Sequence, residues 1–329
     1  GDFVAKYDIS GNREWITRIG DQQGGLHSWD VDTSADGSVY VAGITYGGLY
    51  SNPSLGISDP FIAKYNPDGT LAWSDVSGGP FWDWATTISV NDDGSAYVAG
   101  NTNSNFDNQY TAGDGNYELK PSDALVIKYN NDGSKAWTRI FGTDGSEMIW
   151  GSEVGTDGSV YVVGGTTGNL NNLVGENHPH WLAFIRKISS SGDELWTKLI
   201  NPDFTQGTVN YQTVGYSVTV GNDGAVYVGG AAGPGVNLGG SLGEYGFISK
   251  FDAGGQEQWT QILNDTYNLA APIVSIAVDY AGGLYGSDCA GAAVYRFQDL
   301  SAITPDQPTI INSSVDHGYV SSQFNSYEQ

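Results

Sequence analysis

The sequence predicts an all-β chain, a β-propeller built from four-stranded antiparallel blades. Three observations predict it: a Val-Tyr-Val-Ala-Gly type segment that recurs at near-constant spacing, a second recurring segment followed each time by a turn and a tryptophan, and short Asp-Gly turns between alternating apolar and polar stretches. No stretch carries a helical 3.6-residue period, whereas period-two alternation bounded by turn residues marks strands.

The first motif is Val39-Tyr40-Val41-Ala42-Gly43. It returns at Ala96 to Gly100, Val160 to Gly164 and Val226 to Gly230, and in decayed form at Leu284-Tyr285-Gly286. Its tyrosines are 57, 64, 66 and 58 residues apart. The second motif, Phe3-Val4-Ala5-Lys6-Tyr7, returns at Phe61 to Tyr65, Leu125 to Tyr129, Phe184 to Ile188, Phe247 to Phe251 and weakly at Ala293 to Phe297. The trailing tryptophans are Trp15, Trp73, Trp137, Trp196 and Trp259. A third segment, such as Thr87-Ile88-Ser89-Val90, precedes each copy of the first motif. Each period therefore holds four strands, A to D, placed in the second unit near 85–90, 95–101, 123–129 and 135–140. A single four-stranded unit cannot bury both its faces, so the units must stack around an axis.

Counting gives five A, five B, six C and five D strands. Six blades are expected, with five blades or an arc of a larger ring as alternatives. Residues 1–297 are the propeller repeats, and 298–329 is a degenerate tail. The tail would supply D near 300–304, A near 309–314 and B near 319–322, with the N-terminal strands in 2–18 completing the last blade. Trp73, Trp137 and Trp196 are expected to be buried between blades. Lys6, Lys64, Lys128, Lys187, Lys250 and Arg296 share one repeat position and are expected to pair with carboxylates, since half-buried bases need such partners.

The run Phe61-Ile62-Ala63-Lys64-Tyr65, the turn Asp68-Gly69, Trp73 and Tyr97-Val98-Ala99-Gly100 together resemble the bacterial SBBP propeller repeat family. The resemblance covers about 1–297 and implies a propeller in a secreted or surface protein; it implies no particular activity. The spacing Asp8-x-x-Gly11-x-x-x-Trp15, repeated at Asp252, Gly255 and Trp259, resembles the tryptophan-docking motif of quinoprotein propellers, where the indole packs one blade on the next. A quinoprotein also needs an adjacent cysteine pair, and Cys289 stands alone.

Composition narrows the functions. The 329 residues include 47 glycines and 12% aromatics, which suits short strands and tight turns, not disorder. With 13 Lys and Arg against 37 Asp and Glu, the net charge is −24, which argues against nucleic acid and against an anionic membrane surface. One cysteine allows no intrachain disulfide. The only methionine is Met148, so the chain is expected to be processed or part of something longer. No serine-histidine-aspartate order, P-loop or dinucleotide fingerprint emerges, and no enzyme activity is expected.

The turns are unequal. A–B and C–D turns are short, as in Asp92-Asp93-Gly94-Ser95 and Pro67-Asp68-Gly69-Thr70, and share one face of an up-and-down blade. The B–C loops (44–59, 102–122, 166–180, 231–244) and D–A loops (20–28, 77–84, 141–149, 201–213) are long, variable and on the other face, where binding is expected. Candidate ligand-binding residues there are Trp29, Trp82, Trp84, Trp150 and Trp181; aromatics at such places stack on sugars or wedge blades together. Of the pair Trp82 and Trp84, one is expected to be the exposed aromatic. Asp107, Asp114, Asn116 and Glu118 alternate oxygen ligands in the longest loop and are the candidate calcium site. His178, His180 and Glu176 read as a plain loop, because a zinc site needs more ligands. The expected function is a non-enzymatic extracellular or cell-surface module for adhesion or structure, whose partners are protein subunits or surface glycans. A lectin-like module, or a virion or fibre component recognising a cell surface, are the alternatives.

Overall fold

Consecutive strands of each repeat pair with one another in chain order. The computed structural model describes residues 2–20, 25–112, 121–172, 180–201, 212–233, 245–263, 271–288, 294–297 and 310–311. The first blade is β3 (Leu26–Thr33), β4 (Val39–Thr45), β5 (Asp59–Tyr65) and β6 (Leu71–Val76); the second is β7 (Asp83–Val90), β8 (Ala96–Thr102), β9 (Asp123–Tyr129) and β10 (Lys135–Phe141). The third is β11 (Glu147–Val154), β12 (Val160–Thr166), β13 (Leu182–Ile188) and β14 (Glu194–Ile200). The fourth is β15 (Gln212–Val220), β16 (Val226–Gly233), β17 (Tyr245–Phe251) and β18 (Glu257–Leu263). A fifth holds β19 (Ile273–Val278), β20 (Leu284–Asp288), β21 (Val294–Phe297) and β22 (Ile310–Ile311), and a hairpin of β1 (Phe3–Tyr7) and β2 (Arg13–Arg18) precedes them all. The chain is a β-propeller, with successive A strands β3, β7, β11, β15 and β19 side by side around the axis. Among the described residues no helix is long and apolar enough to cross a membrane.

The core lies between blades. Tyr40, Ala42 and Ile62 of the first blade pack on Ala85, Ile88, Val98 and Ile127 of the second, and each following interface repeats the pattern. Middle strands have packed blades on both sides, so every residue of β4, β5, β8, β12, β13 and β16 is buried. The outer strands β6 and β14 expose much of their length.

A bulge in every A strand explains the glycine that ends the first motif. Trp29, Thr86, Trp150, Tyr216 and Val274 are left unpaired by the register. The bulged backbone swings a carbonyl over the B strand, so a Cβ at Gly43, Gly100, Gly164 or Gly230 would meet His27 O, Trp84 O, Met148 O or Val214 O.

The repeated tryptophans dock on the next blade. Their indole N–H groups donate to C–D turn carbonyls: Trp15 to Pro67 (2.9 Å), Trp73 to Asn131 (3.0 Å), Trp137 to Ser190 (3.0 Å) and Trp196 to Ala253 (3.3 Å). The rings lie over Gly69, Gly133, Gly192 and Gly255, all at positive φ, and a Cβ there would press into the indole. Trp73, Trp137 and Trp196 are therefore half-buried, not fully buried, because one edge covers a surface turn. B-strand tyrosines do the same at the A–B turns: Tyr40 donates to Gly94 O (2.8 Å) and Tyr97 to Gly158 O (2.7 Å).

The repeated lysines differ from expectation in part. Lys6 pairs with Glu14 (2.8 Å) and Lys187 with Asp157 (2.8 Å). Lys64 instead bonds the Asn131 side chain, and Lys128 donates to Ser190 O (3.0 Å). Their common partner is the preceding tyrosine ring: Lys64, Lys128, Lys187 and Lys250 sit 5.0–5.3 Å from the centroids of Tyr40, Tyr97, Tyr161 and Tyr227. For Lys64 and Lys128, ring and turn supply the direct contacts, while the carboxylates of Asp36 and Asp93 act on them electrostatically. The Arg296 side chain lies outside the described residues.

The β1–β2 hairpin docks on the first blade through Trp15 and through Thr17 Oγ1 donating to Gly69 O (2.7 Å), as any C–D pair docks on the blade that follows. Between β1 and β3 lies an open cleft of about 620 Å³, lined by Phe3, Tyr7, Trp29 and Val31 among others. Ile310–Ile311, expected within an A strand, instead pairs with β21 as the outer strand of the fifth blade. Residues 300–304 and 319–322 lie outside the described residues.

Trp73→Ala removes the indole's hydrogen bond and its contact with the Gly133 turn, and is expected to cost about 2–4 kcal/mol in chemical denaturation. Gly133→Ala strains a positive φ and pushes on the same ring, for about 1–3 kcal/mol. If the two act on one contact, the double variant is less destabilised than the sum of the singles. Additive losses would show that ring and turn are energetically independent.

Candidate functional site: an aromatic ladder on the loop face

The loop face of the first two blades carries a row of rings. His27 at the start of β3 meets Tyr46 edge-on (centroids 5.9 Å apart), Tyr46 meets Trp82 (6.4 Å), and Trp82 leans on Trp84 (6.3 Å). Tyr46 and Trp82 are 41% and 43% exposed, and the neighbouring B–C loop presents Leu55 and Ile57, 49% and 46% exposed. Contiguous apolar surface of this kind marks interaction sites more often than scattered single residues do.

Backbone bonds from three segments hold the row. Ile57 N donates to Phe81 O (3.1 Å), Asp83 N to Ser58 O (3.0 Å) and Asn103 N to Trp82 O (2.9 Å). The indole of Trp82 is thus presented from a main chain clamped between the loops of both blades, and little ordering remains to be done on binding. Trp82 precedes β7 and Trp84 lies inside it; the loop residue is the exposed one, while Trp84 is half-buried.

The other candidate residues fall elsewhere. Trp29 is 42% exposed, at the β3 bulge, facing the cleft beside β1. Trp150 occupies the corresponding bulge of β11, half-buried against Tyr216 (6.3 Å). Trp181 packs over Gly165 and Val214 where the third blade meets the fourth. Asp107 Oδ2 accepts from Lys135 Nζ (2.7 Å) and Thr138 Oγ1 (2.7 Å) of β10. Asp114, Asn116 and Glu118 lie outside the described residues, as do Glu176 and His178. Among the described residues, no group of three or more His, Cys, Asp or Glu is placed to hold a metal ion. His27, Tyr46, Leu55 and Ile57 were not singled out by the sequence, although their positions in the long D–A loop 20–28 and B–C loop 44–59 were a usable signal.

A second cluster lies at the axis. Asp30 Oδ2 accepts from Ile88 N (2.9 Å) and Thr87 Oγ1 (3.0 Å), and Asp32 Oδ2 from Val90 N (2.7 Å), tying β3 to β7. Thr87 and Ser89 bond Ser152 of β11 in turn (3.0 and 2.5 Å). Glu153 follows on β11. Burial first, and then the charges of Asp32 and Asp30, push its carboxyl up to about 7; burial raises Asp30 and Asp32 as well. These acids brace neighbouring A strands.

No family model and no curated protein matches the sequence. Among solved structures, a protein of unknown function from Dyadobacter fermentans DSM 18053 is similar at TM-score 0.47 and 13% identity, over 85% of this chain and 80% of that one. PorZ, a surface component of the type-IX secretion system of Porphyromonas gingivalis, is similar at TM-score 0.45 and 12% identity, over 88% of this chain and 35% of PorZ. The Pan2 WD40 domain of Neurospora crassa follows at TM-score 0.42 and 10% identity, over 80% and 76%. The propeller assignment rests on the sheets themselves.

The axial acids predict a pH signature. A carboxyl raised in the folded state favours folding at low pH, and that contribution is lost as pH climbs through about 7. Glu153→Gln is expected to raise stability by about 1–2 kcal/mol at pH 8 and by much less at pH 5. Thermal denaturation at the two pH values checks this; an equal effect at both would show that Glu153 carries no buried charge at pH 8.

Proposed function

We propose that this chain is a non-enzymatic propeller working outside the cell, as an adhesion or structural module of a surface or appendage, and that it engages its partner through the loop face of the first two blades. The observation that carries this reading is Trp82, an exposed indole on a clamped main chain within a row of aromatics. The division of labour between the faces supports it too. The short turns of one face are receptors for tryptophan and tyrosine from the preceding blade, whereas the loops of the other face are long and differ from blade to blade. The repeat motifs' likeness to SBBP propellers, together with the net charge of −24, supports an extracellular setting.

A lectin-like role is the second reading. Trp82 and Tyr46 offer adjoining flat apolar faces with polar tips, which suits a sugar ring better than a charged ligand.

The test is attachment of folded protein to immobilised cell-surface material and to a glycan array. Trp82→Ala, and separately replacement of 102–122 by a short turn, are expected to weaken attachment at least tenfold with the fold intact. Charge reversals at Asp68 and Asp132, on the turn face, are expected to leave it unchanged. The opposite pattern would place the contact surface on the wrong side; glycan binding lost only with Trp82 would select the lectin reading.

A further inference from the structure

The β1–β2 hairpin is the outer half of a blade. β1 repeats the C-strand motif, β2 carries the docking tryptophan of a D strand, and the pair sits on the first blade as a C–D pair sits on the blade that follows. In the four-stranded blades each C strand lies between a B strand and a D strand, but among the described residues β1 pairs with β2 alone. Its inner edge therefore offers unpaired main-chain groups, a template for another strand. The face of the hairpin turned away from the first blade is uncovered as well. Phe3 is 64% exposed, whereas Phe61, Leu125, Phe184 and Phe247, at the same place in other C strands, are at most 1% exposed. The fifth blade does not close over it, so the inner edge can be reached from outside.

The first blade shows which strands are wanting. β3 exposes every second residue, whereas β7, β11 and β15 expose none. Val31, two places beyond the bulge, is 53% exposed; Ile88, Val218 and Ile276, at the same place in other A strands, are 4–6% exposed. Ile88 is covered by Tyr40 and Ala42 of the preceding B strand, and Asp30 of the preceding A strand accepts from its main chain. Over Val31 there is instead the open cleft beside β1. Two fixtures of the blade interface also stand there without their tyrosine. Gly94 O and Gly158 O accept from Tyr40 and Tyr97 of preceding B strands; Gly37, the same glycine of the first blade, lines the cleft. Lys64, Lys128, Lys187 and Lys250 lie over the tyrosine of their own B strand; Lys6 lines the cleft and pairs with Glu14 of β2.

Residues 312–329 are too few to provide both strands. With Ile310–Ile311 as the outer strand of the fifth blade, they are fewer than the chain spends elsewhere from the end of a D strand to the end of the next B strand, as from Phe141 to Thr166. We propose that the cleft docks a β-hairpin of another protein chain, one with the pattern of this protein's own A–B hairpins, and that this hairpin completes the half blade. Its second strand adds to the inner edge of β1. A tyrosine on that strand lies beneath Lys6 and donates to Gly37 O, and the small apolar residue two places on covers Val31. Its first strand lies on the axis side, against the main chain of β3. Main-chain pairing supplies affinity, and alternate side chains supply specificity. This surface is additional to the aromatic row of the loop face, and it gives the exposed Trp29 a protein partner.

The probe is a synthetic peptide of residues 26–45, the A–B hairpin that covers Ile88 in the second blade, titrated into the full chain in physiological salt. Expected are saturable binding of one peptide per chain, a higher melting temperature, and slower hydrogen exchange of the β1 amides in the complex. Val31→Asp in the full chain, at an exposed position that tolerates a charge in the free protein, is expected to weaken binding about tenfold or more, and so is Tyr40→Ala in the peptide. Binding that neither change weakens, or that leaves β1 exchange unaltered, overturns the proposal by placing the peptide elsewhere. No binding to the parent chain overturns it too. If binding then emerges in Tyr319→Asp with Val320→Asp, the chain's own tail fills the cleft. If the parent self-associates with rising concentration and Val31→Asp abolishes this, the occupant is a second copy, and a hairpin from a different protein is again ruled out.

Discussion

A four-stranded blade has two apolar faces, and closing the gap between blades demands that one blade's side chains lie against the next blade's main chain. Here the contact is made by aromatic rings on glycine turns. The D-strand tryptophan covers the C–D turn of the following blade, and the B-strand tyrosine reaches its A–B turn. Asp-Gly therefore serves twice. The aspartate accepts the amide two residues on, as Asp68 does from Thr70 and Asp132 from Ser134, which builds the turn. The glycine then leaves the room a ring needs, because any Cβ would strike the indole. The lysine over each tyrosine adds a charge–quadrupole contact to that ring.

The second recurring device sits near the axis. Each A strand bulges once, which bends it and turns the following residue toward the neighbouring blade. Asp30 uses that position to accept from Ile88 N, and Ser217 uses the equivalent position to accept from Ile276 N. Bonds of this kind run sideways between sheets that share no ladder hydrogen bonds. They bring acids from different blades together, and burial first, then the charges of Asp32 and Asp30, raises the Glu153 carboxyl.

With one face occupied by docking turns, the opposite face is free to vary. The loops of the first two blades cross-link through main-chain bonds, and they display Tyr46, Leu55, Ile57 and Trp82. The Asp59–Asp83 pair lies directly beneath. Asp59 holds the Ser54–Gly56 turn that carries Leu55, and Asp83 sits between the two ladder tryptophans.

Local chemistry was readable from the sequence alone. Period-two alternation and turn residues fall within a few positions of one another, so strand places, blade period, the face on which each connection lies and the docking tryptophans could all be inferred before any coordinates. The tertiary structure decided what depends on how one blade leans on the next. Trp82, Trp84, Trp150 and Trp181 look alike as letters, yet packing against Tyr216, Gly165 and Val214 half-buries Trp150 and Trp181 and leaves Trp82 in solvent. Lys64 and Lys187 occupy one repeat position, but the facing turn offers Asn131 to the first and Asp157 reaches the second. Asp59 and Asp83, separated along the chain by the whole of β6 and a D–A loop, become neighbours only when two blades meet. Repeats specify each sheet through near-neighbour patterns; contacts between sheets follow from bulge, twist and packing angle, which no single repeat spells out.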